Sequence, residues 1–166
     1  MSLALAAVGA ALAALIQSTT VPFVAGDAAE LDLVLVLAIT WTMVAGLEGG
    51  LVCALVGGLI VDVLLMRPLG LTPLILSLAV GAAWLMSQVA SRAIYPAIVI
   101  AALVLAPAVS VAINLALGVL TGASSPDPFE GAFAAAIMNG LLAAVLGGLA
   151  IVIDRRLHPA PERAGW

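Results

Sequence analysis

Long apolar runs punctuated by Gly, Pro and single charges fill the chain. The runs are continuous rather than alternating, and several approach the roughly 20 residues that a helix needs to cross a bilayer. Their breaks predict six helices, at about 3–21, 31–46, 50–66, 71–89, 94–120 and 132–153. The first ends near Pro22. The acidic stretch Gly26 to Glu30 separates it from the second, and Glu48-Gly49-Gly50 reads as the next turn. Arg67-Pro68-Leu69-Gly70 reads as a tight turn, with Pro fixing φ and Gly closing it. Ser91-Arg92 mark a connection, Pro107 predicts a kink inside the fifth helix, and residues 121–131 form a loop with Pro126 and Pro128. Residues 1–154 then make one transmembrane domain and 155–166 a short polar tail. A β-barrel needs alternation that these runs lack.

Composition sharpens that reading. Hydrophobic residues are 65% of the 166 and charged residues 8%, and mean hydropathy is +1.33. A soluble domain carries about 25% charge, so the expected class is an all-α integral membrane protein, a compact bundle of about six transmembrane helices. The first run lacks the basic n-region of a cleaved signal, so it reads as a membrane helix. The five basic residues are all Arg and form no patch, which argues against nucleic-acid binding. With six spans, Arg92, Arg155, Arg156 and Arg163 fall on one side and Arg67 on the other. The positive-inside rule then puts both termini in the cytoplasm.

Small residues repeat every four positions: Gly50, Ala54, Gly58 and then Asp62 in the third helix, Ala136, Gly140, Ala144 and Gly148 in the sixth, and Ala6, Ala10 and Ala14 in the first. Such stripes let helix backbones approach closely in lipid. They serve packing within the chain or docking of another protein's helix. Asp62 shares the third helix's stripe and is expected to face protein, either pairing with Arg67 or making a functional contact. Asp32 opens the second helix, where an acid caps free N–H groups and suits the helix dipole. Ser110 and Asn114 on the fifth helix, Asn139 on the sixth, and the Ser77, Gly81, Gln88 stripe on the fourth either line a small cavity or bond across helices. The single cysteine, Cys53, reads as an apolar packing residue.

Catalytic chemistry has little to work with. The only His, His158, lies in the tail, the chain has no Lys, and no metal-ligand cluster or Ser–His or Cys–His pair falls within the apolar runs. No cofactor is expected, and the chain is read as non-enzymatic.

The order of residues carries a further signal. Gln17-Ser18 with Pro22 is followed by Leu31-Asp32-Leu33, then Gly49-Gly50, Gly57-Gly58-Leu59-Ile60-Val61-Asp62, and Arg67-Pro68-Leu69-Gly70-Leu71. This resembles the rod shape-determining protein MreD family. Leu31 departs from it, standing where the family has Pro. The resemblance covers about residues 15 to 75 by motif and the rest by span count and length. It implies a non-catalytic component of the bacterial cell-elongation machinery in the cytoplasmic membrane. The implied partners are a MreC-like single-span protein, RodA, a class B penicillin-binding transpeptidase and MreB, besides membrane lipids. Gly50, Ala54, Gly58, Asp62, Arg67 and Asp32 are its expected partner-interface or helix-packing residues. A second reading is the substrate-binding S component of an energy-coupling-factor vitamin transporter, whose fold the MreD family is thought to resemble. Its pocket would have to come from Trp41, Trp84, Asn114 and Asn139.

Overall fold

A computed structural model describes residues 3–24, 31–89, 94–122 and 132–157, and all regular structure in them is α-helical. Six helices follow in order: α1 (Leu3–Val24), α2 (Leu33–Ala45), α3 (Leu47–Leu64), α4 (Leu71–Val89), α5 (Ile94–Thr121) and α6 (Ala132–Leu157). The calls on residues 25–30, 90–93, 123–131 and 158–166 lie outside the described residues. Within α3–α6, the stretches Leu47–Leu64, Leu71–Gln88, Pro96–Thr121 and Phe133–Ala150 are long and apolar enough to cross a membrane. Leu3–Thr19 of α1 and Leu33–Ala45 of α2 are shorter apolar stretches.

Several boundaries differ from expectation, each for a local reason. Helix α1 continues through Pro22 to Val24; the fixed φ of proline is itself helical. Glu48, Gly49 and Gly50 are not a turn but the first turn of α3. The reversal is made by Gly46 alone, whose φ of 98° lies where side chains are strained. Helix α6 runs past Ile153 through Asp154, Arg155 and Arg156 to Leu157. Polarity marks where lipid ends, not where a helix ends, and Arg is a good helix former. Helix α5 passes through Pro107 unbroken.

Helix α2 is the hub and packs against all five of the others. It is apolar on every side, as a helix buried on every side must be, and Val34, Leu35, Val36, Ala38 and Ile39 are fully buried. Helix α3 returns directly along it and also packs on α1 and α4, while α5 and α6 form an antiparallel pair. The stripe on α1 is covered completely, with Ala6, Ala10 and Ala14 all at 0% exposure. Cys53 of α3 is buried there and its thiol donates to the Ala6 carbonyl at 3.4 Å. On α6 the fully buried row is Ala135, Asn139, Ala143 and Gly147, one position before the expected stripe. Of that expected stripe only Gly140 is buried, against Leu103 of α5.

Candidate functional site

Helix α2 has 13 residues, about 20 Å at 1.5 Å per residue, against a hydrocarbon core of about 30 Å. A helix that short, packed between longer neighbours, begins with free N–H groups that need acceptors. Three polar side chains solve this at its N-terminus. Asp32 is the N-cap, and its Oδ1 accepts from the Leu35 N–H at 3.0 Å. Gln17 of α1 brings its Oε1 to the Val34 N–H at 3.1 Å. Asn139 of α6 accepts the Asp32 N–H at 2.7 Å through Oδ1, and its Nδ2 donates to the Ala135 carbonyl at 2.9 Å. Gln17 lies seven residues before Val24, and Asn139 seven after Ala132. Both flanking helices thus run roughly 10 Å past the start of α2, which is recessed between them.

A second polar centre lies where α3 hands over to α4, on the same side of the bundle. Asp62 is fully buried. Its Oδ2 accepts the Gly70 N–H at 2.9 Å, and both of its oxygens lie 3.3 Å from the Thr72 N–H. Asp62 therefore caps α4 from the preceding helix. The end of α3 is closed by two backbone bonds, Arg67 N–H to Asp62 carbonyl at 2.9 Å and Met66 N–H to Val63 carbonyl at 3.4 Å. That is a Schellman end, with Met66 at the left-handed position, φ 52°, where glycine is usual. The expected Asp62–Arg67 ion pair is not formed. The two residues meet through their backbones, and the carboxylate turns to the α4 amides instead. Thr72 Oγ1 is buried there without a hydrogen-bond partner.

The stripe leading to Asp62 has one use that the structure shows, packing within the chain. Gly50 lies against Thr42 and the Ala38 carbonyl of α2, and Ala54 is fully buried. A Cβ on Gly58 would lie 2.7 Å from the Pro73 backbone of α4. The neighbouring row works likewise: Gly49 lies under Trp41, and Gly57 under Val34 and Ala10. Asp32 caps as expected, and Arg67 is half-buried at the turn.

The other polar candidates do not gather into a pocket. Ser77 donates to the carbonyl of Pro73 in its own helix at 2.6 Å, Gln88 is exposed, and a Cβ on Gly81 would meet open space. Ser110 and Asn114 make no hydrogen bond to Asn139, which is engaged at the start of α2. Trp41 lies nine residues from Asp32 along the chain of α2, roughly 13 Å away. Among the described residues, no group of three or more His, Cys, Asp or Glu could hold a metal ion. The role of Gln17 and the buried stripe on α6 were missed by sequence reasoning. A long polar side chain seven residues before a helix end, and a four-residue spacing through Asn139, were the available signals.

These features define the class: a helical protein of the multi-pass membrane kind, with four stretches able to span and two polar capping centres among apolar helices. In comparisons with protein-family models, with curated proteins and with solved structures, nothing matches the chain.

Proposed function

We propose that this chain is a non-catalytic membrane scaffold of the bacterial cell-elongation machinery, similar to the MreD family, that associates with a MreC-like single-span partner. In this reading it crosses the cytoplasmic membrane six times with both termini in the cytoplasm, in an arrangement resembling the S-component fold. One observation carries the proposal. The polar residues of the resemblance, Gln17, Asp32 and Asp62, are the ones that close the exposed ends of α2 and α4. A motif spent on holding helices in register suits a protein whose product is a shaped surface. Both carboxylates already accept backbone N–H groups, which suits a structural role better than proton transfer. The Gly50, Ala54, Gly58, Asp62 face is occupied by α2 and α4, so the partner helix docks on an outward face of the bundle.

The vitamin-transporter reading needs polar and aromatic groups that converge, and Trp41 and Asn139 sit toward opposite ends of α2. Depletion of the protein in a rod-shaped bacterium that encodes it tests the proposal. Rounded cells with normal vitamin uptake are expected. Normal rods with impaired uptake of one vitamin would replace the proposal with the transporter reading.

A further inference from the structure

Helix α2 has five neighbours. At the usual helix spacing of 8–10 Å, about six rods of equal width fit around one. The order around α2 is α1, α3, α4, α5 and α6, each packed on the next, but α6 is not packed on α1. One place in the ring is open. The burial of α2 marks the same opening. From Leu33 to Val44 only Leu33, Leu37, Trp41 and Val44 are half-buried, and every other residue is buried. At about 100° per residue those four fall in one sector about 80° wide. One neighbour in six covers roughly 60°. The hub is thus uncovered along its length over the width of a single helix.

This slot is bordered by α1 and α6 and floored by α2. Its α1 flank is small. Gly9 lies at the corner, where an added Cβ would be 3.6 Å from Leu37 Cδ2, an ordinary contact. Half-buried Ala13 follows one turn on. The exposed row of the same helix is large: Leu5, Val8, Leu12 and Leu15. On α6, Asn139 turns to α2 and Gly140 to α5. Met138 and Leu142, both half-buried, therefore take the side toward α1. Small residues on a flank let a second helix backbone approach closely in lipid, whereas acyl chains need no such recess. This sequence supplies no occupant of its own. The stretches 25–30, 90–93, 123–131 and 158–166 are at most nine residues long, and each carries charge. Nine residues make a helix of roughly 13 Å, too short to span.

We propose that the slot between α1 and α6 seats one membrane helix of a second protein. That helix lies along Leu33, Leu37 and Val44 of α2, close to the α1 backbone at Gly9 and Ala13. The inference deepens the scaffold reading and rests on it for the partner's kind, a single-span protein.

Photocrosslinking tests it in membranes of the organism that makes the chain. p-Benzoylphenylalanine replaces Leu37 or, separately, Val44, with Leu78 on α4 as the reference position. The expected result is one adduct from both slot positions and none from Leu78, with the crosslink mapped by mass spectrometry to the sole membrane helix of a second protein. Gly9→Leu, which puts a side chain into the slot, should abolish the Val44 adduct at matched membrane levels. Ala13→Leu should do the same from the next turn, and serves if Gly9→Leu disturbs folding. Slot adducts with lipid alone or with a second copy of this chain would overturn the inference. So would equal yield from Leu78, or a Val44 adduct that survives both variants. The two readings fail separately. A single-span partner mapped to the slot but dispensable for rod shape would keep the slot and remove the cell-elongation role. Rounded cells on depletion, with slot positions reaching only lipid, would remove the slot and keep the role.

Discussion

At the residue scale, Asp62 carries the most weight. It is fully buried and is the acceptor for two amides at the start of α4. Asp62→Ala leaves both without a partner, at a cost of about 2–6 kcal/mol from roughly 1–3 for each stranded group. Asp62→Asn keeps one acceptor oxygen and should lose less than half as much. Thermal unfolding in detergent checks the order, and equal losses for the two variants would contradict the capping role. Thr72 next to it should behave the opposite way. Its hydroxyl is buried without a partner, so Thr72→Val keeps the shape, removes the unsatisfied group and should stabilise by about 1 kcal/mol. A lower unfolding midpoint for Thr72→Val would mean that the hydroxyl has a partner after all. The burial of Asp62 was legible in the sequence from its place on the Gly50, Ala54, Gly58 stripe. Its true partners were not, because proximity along the chain favoured Arg67, and only the left-handed turn at Met66 sends the carboxylate to Gly70 and Thr72 instead.

At the scale of elements, close approach decides which glycines matter. Gly58 sits over the Pro73 backbone, which cannot move aside without shifting α4. Gly58→Ala should therefore destabilise by roughly 1–3 kcal/mol through overpacking. Gly81 faces open space within α4, so Gly81→Ala should gain about 0.5–1 kcal/mol from helix propensity. Opposite signs for the two are expected in parallel unfolding measurements; a loss at Gly81 comparable to that at Gly58 would show that the open side is occupied. At the start of α2, Gln17→Leu and Asn139→Leu should each cost about 1 kcal/mol. The double variant should cost less than their sum, since fraying at one amide releases its neighbour. Full additivity would show two independent contacts rather than one cap. The six helices were legible because lipid enforces long apolar runs. The hub position of α2 was not. Its apolar residues on all sides hinted at full burial, but which helices enclose it depends on contacts far apart in sequence, such as Asp32 with Asn139.

Across the whole molecule, among the described residues, the polar side chains Gln17, Asp32, Asp62 and Asn139 are spent on the chain's own helix ends, and the outward rows of α1, α3, α4, α5 and α6 are rich in large apolar side chains. Two of the helix faces expected to serve either packing or a partner are filled by the chain itself, as Ala6, Ala10 and Ala14 show on α1 and Gly58 shows on α3. The outward rows of large side chains, such as Leu5, Val8 and Leu12 on α1 and Ile137, Leu141 and Val145 on α6, face away from the bundle, and in the proposed reading they are where a partner's membrane helix docks. Scaffolding is the central claim, and it is tested most directly by mild-detergent purification of the tagged chain from bacterial membranes that encode it, followed by mass spectrometry of everything recovered. The account predicts a single-span protein with a large extracytoplasmic part in constant proportion to the chain, and no tightly held vitamin. Recovery of energy-coupling ATPases together with one bound vitamin, and no single-span partner, would contradict it.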